Sequence, residues 1–384
     1  MENLKKYFAL SKKITYLDNA ALTLKPQSSI EALNNFYTNY SISSRTRDTP
    51  IGIKVNEEIS SLRKNIANLI NSKPEEVIFT SGTTDSINKC AAMLKKILKK
   101  DHELLLSAYN HSSNITPWIK LADELNVTIK IVDDNLIDSI NSKTKIIAFS
   151  QLSNNYNIKY DMEKIYKKAN EIGAIVINDA AQAIVYEPVN FYNSHIVVFS
   201  SNKFYGPTGF GALIIKENLL KHLKPSTFGG GSTLSIDSNN NCYFQNGIEA
   251  FEPGTPNLSA IFMFNESLNF FKNKIGYDLT KKKIEKLSSY AYEKLSKLEN
   301  IELYTSKNSH IILFNVKGIN AQDVAHYLGT KNIYVRAGLF CALYLKNIKS
   351  VNSYVRISLA VYNDEEDIDN LVKELEKGGD FLVL

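Results

Sequence analysis

Between residues 76 and 216, short apolar runs alternate with stretches of helical period, and that rhythm restricts the chain to a narrow set of folds. The runs at 77–79, 104–106, 129–132, 145–149, 175–178, 196–200 and 212–215 are mostly rich in β-branched residues and apolar without alternation, as strands buried on both faces require. Seven such strands linked by helices predict an α/β fold with a large, mainly parallel seven-stranded sheet. The helix signals agree. Asp161 stands ready to cap a segment whose Met162, Ile165, Ala169 and Ile172 share one face before Gly173 stops it. Similar faces run over 55–70 and 86–98. After the glycines 229–231 and the Pro/Gly turn at 252–257, long helical patterns cover 258–274 and 281–298. Strand-like 309–316 and 332–336, with helix-like 321–328 and 365–377, then predict a small α+β C-terminal domain. The expected organisation is an N-terminal segment (1–14) packing on the small domain, a large domain (15–259) and the small domain (260–384). The asparagine tract at 238–241 is expected at a hairpin tip.

The chain has 384 residues, 44% hydrophobic and 22% charged, enough for one large core and a smaller one. A net charge of +5 is modest, and pairs such as Lys95-Lys96 fall on polar helix faces, which argues against a nucleic-acid partner. Cys90, Cys242 and Cys341 lie far apart without a Cys-x-x-Cys, so neither a disulfide framework nor a zinc ribbon is expected; no other metal site is predicted. No apolar stretch reaches the roughly 18 residues that span a bilayer. A cytoplasmic enzyme without membrane attachment is the expectation.

Three strand ends carry chemistry. Lys203 follows the strand at 196–200 and precedes Tyr205-Gly206-Pro207, where a lysine held out of bulk water is pushed toward the amine that builds a Schiff base. Asp179 ends another strand and could keep a pyridinium nitrogen protonated, making the ring an electron sink. Thr80-Ser81-Gly82-Thr83-Thr84 lies between strand and helix, where backbone N–H groups and hydroxyls converge on a phosphate. His111 sits beyond the strand at 104–106, placed to stack on a ring and move protons. No Gly-x-x-x-x-Gly-Lys-[Ser/Thr] or strand-linked Gly-x-Gly-x-x-Gly is present, which leaves a nucleotide-binding module without support.

These segments resemble the class V aminotransferase superfamily, of pyridoxal-phosphate (PLP) fold type I, and within it the SufS-like cysteine desulfurases and selenocysteine lyases. The resemblance starts at Tyr16-Leu17-Asp18-Asn19-Ala20-Ala21 and passes through Asn114-Ile115-Thr116-Pro117-Trp118, Asp179-Ala180-Ala181-Gln182 and Lys203-Phe204-Tyr205-Gly206-Pro207. It continues through Phe251-Glu252-Pro253-Gly254-Thr255 and Arg336-Ala337-Gly338-Leu339-Phe340-Cys341 to Arg356-Ile357-Ser358. It implies that Lys203 carries the cofactor, His111 stacks on it, Asp179 pairs with the ring nitrogen, and Gln182 and Asn154 border the phenolic oxygen. Thr83, Thr84 and Ser200, with Thr255 from a second subunit of a homodimer, would take the phosphate. Arg356 would hold the substrate carboxylate, with Asn19 and Ala20 lining the pocket. Cys341 would take sulfur from L-cysteine as a persulfide, leaving L-alanine, and pass it to an acceptor protein in iron–sulfur or other sulfur assembly. A selenocysteine or cystine lyase, or a small-substrate aminotransferase, is the alternative. The sequence departs from the resemblance where Asp48, Ser112, Asn202, Leu339 and Phe340 replace residues that in the family are often histidine. Leu339 and Phe340 place two apolar side chains beside Cys341, which predicts slower attack by that thiol.

Overall fold

A computed structural model describes residues 3–377. All seven predicted strands pair in one sheet: Val77–Thr80, Gly211–Ile215, Ile196–Ser200, Ile175–Asp179, Thr144–Ser150, Glu103–Ser107 and Thr128–Val132, in that spatial order. Only Gly211–Ile215 runs against its neighbours. Alternation along the strands divides two cores. Phe79, Val197, Phe199, Ala212 and Ile214 face one layer of helices, while Ile78, Ile196, Val198, Leu213 and Ile215 face the other. Every residue of Ile175–Asp179 and Ile196–Ser200 is buried, which is why the sequence shows unbroken apolar runs there.

The first core holds Pro50–Ile70, capped by the Thr49 hydroxyl on Gly52 N–H and closed by left-handed Asn71, and the mostly apolar buried face of Leu258–Phe270. The second holds Thr83–Leu94 through Ile87, Cys90 and Leu94. Asp161 caps Met162–Ile172 as expected, its carboxylate accepting from Lys164 N–H at 3.0 Å, and Gly173 ends that helix at φ 67°. The helical pattern at 258–274 changes character at Phe271, where one wider turn, Phe271–Ile275, leads to Gly276 at φ 68°; the next helix, Gly276–Leu295, therefore starts earlier than its apolar spacing indicated.

A four-stranded sheet follows, ordered Ile301–Leu303, Ile311–Val316, Tyr354–Ser358 and Arg336–Gly338, all antiparallel. The single strand expected at 332–336 is two: Ile333–Tyr334 pairs with Thr15–Tyr16, and the chain then changes partner to join Tyr354–Ser358. Near the N-terminus, Lys5 bridges Asp364 and Asp367 at 2.9 Å each, and Phe8 packs on Tyr205, Phe270 and Tyr362. The asparagine tract does tip a hairpin, Thr233–Ile236 with Cys242–Phe244.

Candidate active site

Register places the chemistry. Thr80 and Ser200 both pair with Gly211, so the strand ends that carry the phosphate-type turn and the lysine turn stand level on either side of one residue. A Cβ at Gly211 would lie 2.6 Å from Gly82 Cα and 2.5 Å from Phe199 O, so only glycine lets the two ends come this close. Gly82, at φ 146°, then turns the chain into Thr83–Leu94. The Ser200 hydroxyl accepts from Thr83 N–H at 2.7 Å and lies 2.8 Å from the Thr83 hydroxyl. Thr84 Oγ1 meets Ser113 Oγ at 2.8 Å. Hydroxyls and free helical N–H groups are thus gathered at a positive helix end.

These groups rim a cavity of about 290 Å³ at the carboxyl edge of the large sheet, where Ser150 and Asp179 also end adjacent strands. Lys203 lies at the end of the short turn Ser201–Lys203, with its side chain in the cavity. Burial pushes its ammonium down and Arg356 adds to this, against the pull of Asp179, Asp18 and Cys341. Burial also drives the Asp179 carboxyl up, though Ala181 N–H donates to Oδ1 at 3.0 Å. That bond also caps the turn that follows Asp179. His111 is pushed down to about 4 by burial, with Lys203 and Arg356 contributing. Its Nδ1 accepts from Ser113 N–H at 3.1 Å, which assigns the proton of the neutral ring to Nε2.

The cavity brings together all the expected catalytic, cofactor and substrate residues except Asn19 and Thr255. The Asn19 amide is buried beside the cavity, donating to Ser358 O at 2.7 Å and Asn363 Oδ1 at 3.0 Å, while its neighbour Ala20 reaches the cavity wall. Thr255 is exposed on a turn that does not line the cavity. That turn is fixed by Glu252, which takes both Arg63 guanidinium nitrogens at 2.9 Å and Phe79 N–H at 2.6 Å. Gln182 donates to Ala20 O at 2.8 Å, and Asn154 donates to Phe340 O at 2.7 Å.

Leu339 and Phe340 are buried in a side cluster with Tyr109 and Tyr354, while Cys341 between them and the cavity is exposed at its rim. Phe340 and Cys341 both adopt positive φ, 55° and 58°, and Cys341 O accepts from Ser112 N–H at 2.6 Å. Cys90 is buried and its thiol pushed far up by desolvation; Cys242 is exposed on the hairpin. The ionic partner of Arg356 emerges only in the fold. Its Nη2 donates to Asp18 Oδ1 at 2.6 Å and Nη1 to Asn154 O at 2.9 Å, its face covers Phe340, and Nε is buried without a partner. Arg336, exposed at the rim, stands 4.0 Å from the other Asp18 oxygen. Nothing local in the sequence signals the Asp18–Arg356 pair, whose members are at opposite ends of the chain.

A lysine amine, an acid aimed into the same cavity, a hydroxyl-lined helix start and a neutral imidazole form the donor set of a PLP enzyme of fold type I. Residues 15–371 match the aminotransferase class-V family, and the chain belongs to it. It is 36% identical to a probable cysteine desulfurase of Ureaplasma parvum serovar 3, over 97% of this chain and 95% of the relative. Among solved structures, it is similar to the apo cysteine desulfurase of Thermococcus onnurineus NA1 (TM-score 0.92, 27% identity, 98% of each chain). It is also similar to the cysteine desulfurase CsdA of Escherichia coli (TM-score 0.90, 26% identity, 97% of this chain and 96% of that one).

Proposed function

We propose that the chain is a PLP-dependent cysteine desulfurase that converts L-cysteine to L-alanine and carries the sulfur as a persulfide on Cys341. The observation that carries this reading is the exposed thiol of Cys341 on the rim of the same cavity that holds Lys203 and Asp179. When bound, PLP supplies an electron sink, which a ring nitrogen paired with Asp179 strengthens. Lys203 holds the cofactor through its amine and then moves the substrate α-proton, a task suited to an ammonium that burial has already weakened. Thr83, Thr84 and Ser200 would take the phosphate, His111 would cover the ring, and Asn154 and Gln182 would border its phenolic oxygen. Arg356 receives the substrate carboxylate, and its orphaned buried Nε is the donor waiting for that oxygen. The Cys341 thiolate attacks the substrate sulfur: an S–S bond forms, the carbon–sulfur bond breaks with its pair returning to the carbon skeleton, and protonation releases L-alanine.

Thr255, exposed on its clamped turn, is read as reaching the phosphate site of a second copy in a homodimer, and the exposed Cys341 as handing sulfur to an acceptor protein or thiol for iron–sulfur or other sulfur assembly. Three cysteines, none in a disulfide, suit the reducing cytoplasm, and no helix among the described residues is long and apolar enough to cross a membrane. The test is a Cys341→Ala chain given L-cysteine and a thiol reductant. Sulfide and alanine should fall together by at least about 100-fold while L-cysteine still perturbs the cofactor spectrum. Sulfide release at the parent rate would reject the persulfide step, and consumption of a 2-oxo acid with formation of a new amino acid would make the enzyme an aminotransferase.

A further inference from the structure

The peptide that leads into Lys203 is held by an unusual concentration of donors. The carbonyl oxygen of Asn202 accepts from Thr23 N–H at 3.1 Å, from the Thr23 hydroxyl at 3.0 Å and from the Lys25 ammonium at 3.0 Å. The same Thr23 oxygen accepts from Tyr205 N–H at 2.9 Å, on the far side of the lysine. Thr23 thus grips the backbone on both flanks of residue 203, and Lys25 adds a second hold on the Asn202 side. Tyr205 is at φ 59°, a left-handed conformation that a bulky side chain adopts only where its surroundings impose it.

Lys25 is itself out of place in a purely structural role. It is largely buried, its second bond goes to Thr23 O at 2.6 Å, and no carboxylate among the described residues is within ion-pair distance. Burial pushes its ammonium down to about 7. With or without its extra proton, the nitrogen still carries hydrogens to donate. Among the described residues, its side-chain hydrogen bonds go only to Thr23 O and Asn202 O, both in the frame around Lys203.

A carbonyl fixed by three donors fixes its whole peptide plane, because the peptide unit is rigid. The plane shared by Asn202 C=O and Lys203 N–H sets the direction in which the Lys203 side chain leaves the backbone, and therefore where its amine lies in the cavity. We propose that Lys25, together with Thr23, is a positioning residue for Lys203, orienting the 202–203 peptide so that the amine points at the cofactor aldehyde. This rests on the reading of Lys203 as the cofactor-bearing lysine. Neither Lys25 nor Thr23 lines the cavity, so both act through Lys203 and not on the cofactor itself.

The test separates attachment from binding. Cofactor-free parent, Lys25→Met and Thr23→Val chains are mixed with pyridoxal phosphate, and the covalent link is followed by absorbance and by borohydride trapping at residue 203. Cofactor affinity is measured separately in a Lys203→Ala background with and without Lys25→Met. The expected result is a link that forms at least tenfold more slowly in Lys25→Met, and severalfold more slowly in Thr23→Val, with affinity in the Lys203→Ala background unchanged by Lys25→Met. Thr23→Val, which deletes one hydroxyl, carries the test if Lys25→Met does not fold. Link formation at the parent rate in the folded variants would overturn the proposal. So would an equal loss of cofactor affinity when residue 203 is already alanine, because Lys25 would then be acting on the site at large. A Lys203→Ala chain that still forms a reducible link would remove the reading of Lys203 itself, an outcome distinct from either.

Discussion

At the scale of single residues, the site depends on polar groups that only the fold could bring together. Arg356 is almost wholly buried, and one carboxylate, Asp18, holds it. Its buried Nε needs a partner, and a carboxylate bound there completes a planar fork that lysine cannot reproduce. Arg356→Lys should raise KM for L-cysteine roughly 10- to 100-fold, the ~1.5–3 kcal/mol of a charge-assisted hydrogen bond, with a smaller change in kcat. Steady-state kinetics with L-cysteine measures this, and an unchanged KM would take the substrate carboxylate away from Arg356. Lys203, Asp179 and His111 are legible in the sequence because each follows an apolar strand that fixes its place at one sheet edge. Asp18 and Lys25 are not, because their partners are distant in the chain and no spacing rule links them. Asn19 shows the same distance effect, because its buried amide is taken by Ser358 O and Asn363 Oδ1, partners 339 and 344 residues away in the chain.

At the scale of elements, Gly82 at the helix start and Gly211 at the start of its strand decide whether the phosphate-type turn closes. Gly211→Ala should cost about 1–3 kcal/mol, as overpacking does, and weaken cofactor binding at least tenfold by pushing Gly82 away from Ser200. Chemical denaturation and cofactor titration read the two effects. Gly329 is the contrast: it lies within the helix Ala321–Thr330, and an added methyl there would have no neighbour within 4 Å. Gly329→Ala should therefore stabilise by about 0.4–1 kcal/mol and leave cofactor affinity unchanged. Elements buried on both faces are legible because their apolar runs are uninterrupted. Tyr354–Ser358 is not, because a buried arginine breaks its pattern, and Thr15–Tyr16 is too short to show one.

At the scale of the whole molecule, three histidines govern the response to acid. Burial pushes His111 and His195 to about 4 and His310 to about 3, against an ordinary value of 6.5. A folded-state value below the unfolded one means that the unfolded chain binds more protons in the interval between them. The stability these rings contribute is fully present above pH 6.5 and is lost as pH falls toward 4. The thermal midpoint should therefore decline steadily from about pH 6.5 to about 4.5, and calorimetry across that range tests it. His310 stacks on Tyr186 at 4.2 Å with its Nε2 unpartnered, so His310→Phe should flatten the slope. A midpoint independent of pH over this interval would contradict the assignment.

The positive-φ turn at Phe340–Cys341 has a consequence for traffic through the molecule. It tucks the aromatic ring inward and swings the sulfur onto the threshold of the cavity, where one side meets the reaction chamber and the other meets solvent. Under the proposed function, cargo would be collected from within and delivered outside by this single carrier, and a visiting recipient would not need to enter the cavity.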